Sequence, residues 1–409
     1  MSIEAAPPNR RRNILLTGGR APCTLELARA FHAAGHRVLV AESARRHLCR
    51  VSRAVEQSFA VPPPNGETAS FLEALEAIVT REGVDVLIPT CEEIFFVAKG
   101  LERLKRHCAV WAAPIEELGE LHNKWRFAAL ARRLGLSVPE TRLIANREEW
   151  LAYAEGQRSE ESLVLKPVYS RFASRVLFLS SNDSAAQRRQ ILSRVMPDLS
   201  PEAPWVAQRR IEGRHLATYS IAYEGELVAH GAYPCRYRIG QGATVYFEPI
   251  RHEPSLEWVR KLVKAIGFTG QIAFDFIEEE GGGLYALECN PRATSGVHLF
   301  GGNAGLVQAF LQPEALRSAG VLVEPAGQAG SMLTVPMLAA GLSGIRSLRQ
   351  LRGWAKDFHA ARDAVFHRTD MGPAIEQLRV LREAWRTGKT HGISLTEATT
   401  IDLEWNGEP

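Results

Sequence analysis

The chain has 409 residues, 45% of them hydrophobic and 23% charged. That is ordinary for a globular protein and too long for one core, so two or three domains are expected. Lys and Arg exceed Asp and Glu by a net +3, which gives no reason to expect a nucleic-acid partner. The 6 cysteines include no CxxC pair, and no run approaches the ~18 apolar residues of a membrane span. Reduced thiols in a cytoplasmic protein that does not enter a membrane are the expectation.

The basic opening "MSIEAAPPNRRR" leads into "NILLTGG", which is too short for a signal segment and reads as a buried strand closing on a glycine turn. "CTLELARAFHAAG" then has helical spacing up to Gly35, and "HRVLVAES" is a second strand. A helix over "FLEALEAIVTREG", a strand "VDVLIPT" and a helix from Glu92 follow. This alternation predicts a parallel, doubly wound sheet through about residue 112. The "TGGRAP" turn lacks the G-x-G-x-x-G spacing, so a tight strand-to-helix turn is preferred over a dinucleotide site. A small ligand at that helix start stays open.

The helix "NKWRFAALARRLG" ends at Gly135, and "SLVLKPV" and "RVLFL" read as strands around the loop "YSRFAS". "LATYSIAYEGELVAHGAYP" predicts a hairpin turning at Glu224–Gly225, and "GQIAFDFIEEEGGGLYALECN" a second one. The middle third is therefore antiparallel α+β, and the chain beyond about residue 300 is mostly helical. "RYRIGQGATVYFE" is either a lining of the acceptor side or an edge bulge.

The second hairpin carries the chemistry. Alternation sends Glu288, Asn290 and Arg292 to one face, with Cys289 and Pro291 on the other. Pairing outward from a turn at Gly281–Gly282 places Asp275 opposite Glu288 on that face. Opposed like charges destabilise a strand pair, and an inward carboxylate carries a desolvation penalty. A divalent cation removes both problems, and two carboxylates with an amide oxygen suit Mg²⁺ or Mn²⁺. The other reading is a solvated strand end, or an ion pair with Arg292. Mg²⁺ usually binds substrate phosphates as well, so the set points to a nucleotide. Arg292 suits a phosphate or carboxylate through its planar fork. Lys124, opening a helix, and Lys166, ending an apolar strand, are candidate phosphate partners. His298 is either a substrate contact or a structural histidine.

In order and content these parts resemble the ATP-grasp superfamily of ATP-dependent ligases, nearest its carbamoyl-phosphate-synthetase-like and biotin-carboxylase-like members. The resemblance runs from residue 14 to about 300, and its most specific motif is Asp275 with "ECNPR". It implies a Rossmann-like domain over 1–112 and an ATP-grasp domain over 113–310. The lid subdomain would span about 137–207, and a mostly helical region over 311–409 would complete or cover the site. Lys124 and Lys166 would hold ATP phosphates. The stretch Gln208, Arg209, Arg210 and Ile211 would receive adenine through backbone groups. Asp275, Glu288 and Asn290 would bind two Mg²⁺ ions, and Arg292, with Lys166, would serve the transferring phosphoryl or acyl phosphate.

Two departures from the family stand out. The glycine-rich loop is replaced by "KPVYSRFASRV", read as a phosphate lid built on Ser170, Arg171 and Ser174, or else an exposed basic loop. His215 stands where members often carry a ribose-binding Glu, so His215, Glu212 or neither takes the ribose.

The implied activity is ADP-forming ligation: ATP phosphorylates a small-molecule carboxylate, and an amine displaces phosphate from the acyl phosphate. Bicarbonate as phosphoryl acceptor is the alternative within this chemistry, and a non-catalytic ATP-binding module is the alternative outside it. A homodimer is a family-level expectation. Family membership does not name the substrates.

Overall fold

The computed structural model describes residues 10–156, 162–169, 175–195, 199–239, 242–327, 329–343 and 345–408. Its strands in chain order are β1 (Asn13–Thr17), β2 (Arg37–Glu42), β3 (Gln57–Ala60), β4 (Val86–Ile88), β5 (Ala109–Val110), β6 (Thr141–Ile144), β7 (Leu163–Pro167) and β8 (Leu177–Leu179). They continue as β9 (Trp205–Arg209), β10 (Arg214–Tyr223), β11 (Glu226–Pro234), β12 (Tyr246–Phe247), β13 (Gly270–Glu278), β14 (Leu284–Asn290), β15 (Ser331–Met332) and β16 (Arg362–Asp363). The helices named below are α1 (Pro22–Ala33), α2 (Thr68–Glu82), α3 (Glu93–Lys99), α4 (Leu101–Leu104), α5 (Ile115–His122) and α6 (Lys124–Arg133).

Strands β1–β5 form a parallel sheet in the order β3-β2-β1-β4-β5. Leu15 of β1 packs into one core, while Ile14 and Leu16 pack into another. A parallel strand buried on both faces needs cover on both sides, which is why "NILL" reads as a continuous apolar run. The strand order reverses between β1 and β4, so a crevice opens beyond their carboxyl ends, the usual ligand position in open α/β sheets. Gly18 lines it with φ +70°, and a Cβ there would lie 2.8 Å from Thr90 Oγ1. Glu42, at the end of β2, bonds the Arg20 guanidinium and backbone N–H. It is thus occupied by the protein itself, in keeping with a structural glycine turn rather than a dinucleotide site.

The middle of the chain folds into two antiparallel sheets, β6-β9-β7-β8 and β11-β10-β13-β14. The β10–β11 hairpin turns at Glu224–Gly225, with φ of 47° and 80°, matching the left-handed pair of a two-residue turn. One face of the second sheet packs Phe274, Phe276 and Ala286 against Phe127 of α6 and Trp258, in a core continuous with the first domain's Leu15 and Leu87. The smaller sheet has its own core around Trp150 and Leu165.

Beyond residue 300 the helices are Ala304–Leu311, Pro313–Ser318, Thr334–Ser343, Leu348–Ala360, Gly372–His391 and Leu395–Ala398. They return to the parallel-sheet domain: Asp370 bonds Arg29 at 2.9 Å, Ser52 Oγ at 2.7 Å and Arg53 N at 2.9 Å.

Candidate active site

The β13–β14 hairpin reaches its arrangement by a route the sequence does not show. Glu278 pairs with Leu284 and Phe276 with Ala286, so the strands pair about Gly281 across the loop Glu279–Gly283, not about Gly281–Gly282. Leu287 is then an extra residue, and Asp275 pairs with Glu288 and Ala273 with Asn290. The bulge reverses the parity of β14. Leu284 and Ala286 face the core before it, and Cys289 faces the same core after it. An unbroken strand would have pointed Glu288 into that core. The bulge instead turns Glu288 and Asn290 to the face that carries Asp275.

The two lysines meet this face. Lys124 is the first residue of α6, whose N-cap Asn123 accepts from Trp125 N and Arg126 N at 3.1 and 2.9 Å. Its ammonium lies 3.8 Å from Glu288 Oε2 and 3.5 Å from the Val168 carbonyl. Lys166, fixed in β7, donates to the Leu287 carbonyl, the bulged residue, at 3.3 Å. Both are buried, at 4% and 6% exposure, an unusual position for lysine.

The electrostatics of the cluster divide its two carboxyls. Burial pushes Asp275 well above the usual carboxylate range, and the charge of Glu288 and a hydrogen bond to it add to the rise. Burial also pushes Glu288 upward, but Lys124 and Lys166 outweigh it and hold Glu288 low. The two carboxyls are thus pushed in opposite directions, Asp275 up and Glu288 down, as expected for like charges in contact. Burial lowers Lys166 to about 8, with Glu288 opposing and Lys124 assisting.

Arg292 links this face to the crevice of the parallel sheet. Its Nη2 donates to Glu92 at 3.2 Å and to Asn290 Oδ1 at 3.3 Å, and Nη1 donates to the Ala293 carbonyl at 3.1 Å. Its buried Nε has no partner among the described residues. Burial opposes the charge on Arg292, and Glu92 restores it. The ion-pair alternative for Arg292 thus has a specific partner, Glu92, which the sequence reading missed. The available signal was an acid just past the carboxyl end of β4, beside the reversal of strand order. His298 is 1% exposed and bonds Glu26 of α1 at 2.9 Å through Nδ1.

The stretch proposed for adenine lies on β9 and just beyond it. Gln208 is buried and donates its amide to Thr141 Oγ1 at 3.0 Å. The backbone N–H groups of Arg209 and Arg210 go to the carbonyls of Glu140 and Ser162, at 2.8 and 2.9 Å. Arg209 lies over the Tyr285 ring and Arg210 over Phe178, while Ile211 is buried. His215 is half-buried, and burial, with Arg238, lowers it to about 4; Glu212 is 81% exposed beside Arg210. Ser170, Arg171 and Ser174 lie outside the described residues.

With this geometry in view, comparison with known proteins gives a consistent answer. Residues 121–296 match the family described as an ATP-grasp domain. No curated protein matches the chain in sequence. Among solved structures, the L-amino acid ligase from Bacillus licheniformis is 16% identical with a TM-score of 0.53, covering 71% of this chain and 70% of that one. The carboxyaminoimidazole ribonucleotide synthase of Aspergillus clavatus, complexed with ATP, is 15% identical with a TM-score of 0.60, covering 81% and 86%. A biotin carboxylase from Campylobacter jejuni is 14% identical with a TM-score of 0.53, covering 71% and 68%. At these identities the likeness is one of fold. Among the described residues, no helix is long and apolar enough to cross a membrane.

Proposed function

We propose that this protein is an ATP-dependent, ADP-forming ligase that activates a carboxylate as an acyl phosphate and joins it to an amine. The observation that carries this is the Asp275–Glu288 pair, opposed across β13 and β14 with Asn290 beside it and two buried lysines against it. Among the described residues no group of three His, Cys, Asp or Glu side chains forms a metal cage. A donor set of two carboxylates and one amide suits an ion that completes its shell with phosphate oxygens. Asp275, Glu288 and Asn290 would hold Mg²⁺, which when bound neutralises charge on the phosphates.

Lys124 and Lys166 bind phosphate oxygens from the two sides of the cleft. Phosphate oxygens offer these ammoniums, 3.8 Å from Glu288 and 3.3 Å from the Leu287 carbonyl, charge-assisted bonds. Arg292, two residues past β14 and held by Glu92, orients the carboxylate and stabilises negative charge as the phosphoryl group moves. The acceptor enters from the crevice between β1 and β4, which Arg292 faces. Free carboxylates resist amide formation because oxide is a poor leaving group; phosphorylation supplies a better one.

A second reading makes bicarbonate the phosphoryl acceptor. The similar fold of a biotin carboxylase domain in complex with MgADP and bicarbonate, with a TM-score of 0.54, favours it. ADP release with MgATP, measured across amino acids, other carboxylates and bicarbonate with Glu288→Gln as blank, separates the two. Release that needs an organic carboxylate and an amine supports the ligase, and release that needs bicarbonate supports the second reading. MgATP binding without release under any condition would leave only a binding module.

A further inference from the structure

Segment 399–408 is far from the lysines in sequence, yet it packs against the side chain of Tyr169, three residues past Lys166. Trp405, 5% exposed, stacks on Phe95 with ring centroids 4.5 Å apart and meets Tyr169 edge-on at 5.4 Å. Gly407 lies so close to Tyr169 that a Cβ would come within 2.5 Å of its Cε2, and its φ of +87° favours glycine. The other end of the segment is anchored on the turn after β1. Arg20 donates to Asp402 at 2.5 and 2.7 Å and to the Thr399 carbonyl at 3.0 Å, and Ser43 Oγ donates to Asp402 at 2.7 Å.

Tyr169 is a junction. It follows Lys166, Pro167 and Val168, and its hydroxyl accepts from Asn123 Nδ2 at 3.1 Å. Asn123 caps α6, and Lys124 N donates to the Val168 carbonyl at 3.3 Å. The end of β7 and the start of α6 are thus joined through Tyr169, Asn123 and Val168. Trp405 and Gly407 press on that joint from outside. A lysine is a point charge on a flexible stem, so the distance between two ammoniums is set by how firmly their backbones are held.

We propose that Trp405 and Gly407 are positioning residues for nucleotide binding. By bracing Tyr169 against Asn123 they fix the spacing of Lys124 and Lys166, and they tie it to the crevice turn through Asp402 and Arg20. This rests on the reading of those lysines as phosphate ligands. A core-filling role alone would lower stability on substitution without changing affinity in the folded state.

The test is calorimetric titration of the full chain with MgATP alone, well below each variant's unfolding temperature. Gly407→Ala drives a methyl into Tyr169, and Trp405→Ala removes the brace. Both raise Kd at least ~5-fold, about 1 kcal/mol of binding free energy. Trp405→Phe, which keeps an aromatic ring, recovers most of the affinity. If Trp405→Ala does not fold, Gly407→Ala and Tyr169→Phe, which loses the Asn123 bond, decide the matter. Wild-type affinity in the folded Gly407→Ala and Trp405→Ala proteins, with weak binding by Lys166→Ala, overturns the brace and leaves the phosphate reading standing. Wild-type affinity in Lys166→Ala overturns both.

Discussion

Glu288 and Asp275 face each other in register, yet burial, which pushes both carboxyls upward, is outweighed by Lys124 and Lys166 only at Glu288. An amide in place of Glu288 keeps its shape and removes the charge. Glu288→Gln is therefore expected to abolish ADP release while circular dichroism shows the native fold. Wild-type turnover in that variant would remove Glu288 from the site. Arg292 holds one charge-assisted bond to Glu92 and keeps a buried, unpartnered Nε. Arg292→Ala should lower kcat more than ~10-fold, since loss of one stabilising donor typically costs at least ~2 kcal/mol. An unchanged kcat would reduce Arg292 to the ion partner of Glu92. Neither the lysine burial nor the Glu92 pairing is written locally in the sequence. Lys166 is conspicuous in "LVLKP" because a charge ends an apolar run, whereas Glu92 in "CEE" resembles any acid at a helix start.

The site's central element is a bulged hairpin whose strands were legible and whose bulge was not. "GQIAFDFIEEE" and "LYALECN" announce two strands and a turn through β-formers and a glycine run. The bulge is a backbone event at Leu287, with no special residue type to mark it. Only the facing of Ala286 and Cys289 into one core reveals it. Direct counting still put Asp275 opposite Glu288, because the turn was misplaced by half a step and the extra residue made up the difference. After β14 the chain crosses close over β10: a Cβ on Gly296 would lie 2.3 Å from Tyr219 Cβ, where Tyr219 is fully buried. Gly296→Ala should destabilise the protein by about 1–3 kcal/mol, the usual range for overpacking, read as a lower urea midpoint. A midpoint equal to wild type would mean the 295–300 turn lifts freely from the sheet.

At the scale of the molecule, contacts far apart in sequence decide how the parts meet, and no local spacing encodes them. Arg20 reaches Asp402 across 382 residues, and Glu26 of α1 joins His298 and Arg362 at 2.9 Å each. The alternating strands and helices of the first third foretold its parallel sheet, because each element announces itself by period. The return of the later helices onto that sheet left no such trace. Burial pushes Glu26 upward, but His298 and Arg362 outweigh it and hold its carboxyl low. Its stabilisation is therefore fully present above the ordinary glutamate range and is lost as pH falls through the lowered value. Glu26→Gln should cost about 3 kcal/mol at pH ~7, the scale of breaking a buried ion pair. The difference from wild type should shrink below pH ~4, where the free carboxyl is protonated. Denaturant midpoints at the two pH values check this, and a difference that grows with acidity would refute it.

The central claim is that the carboxylate oxygen attacks the terminal phosphate of ATP at the Asp275–Glu288 face. Turnover with the carboxylate substrate labelled with oxygen-18 tests it most directly, by mass analysis of the released phosphate. Passage through an acyl phosphate transfers one labelled oxygen per turnover to inorganic phosphate. Unlabelled phosphate, with product still formed, would contradict the account.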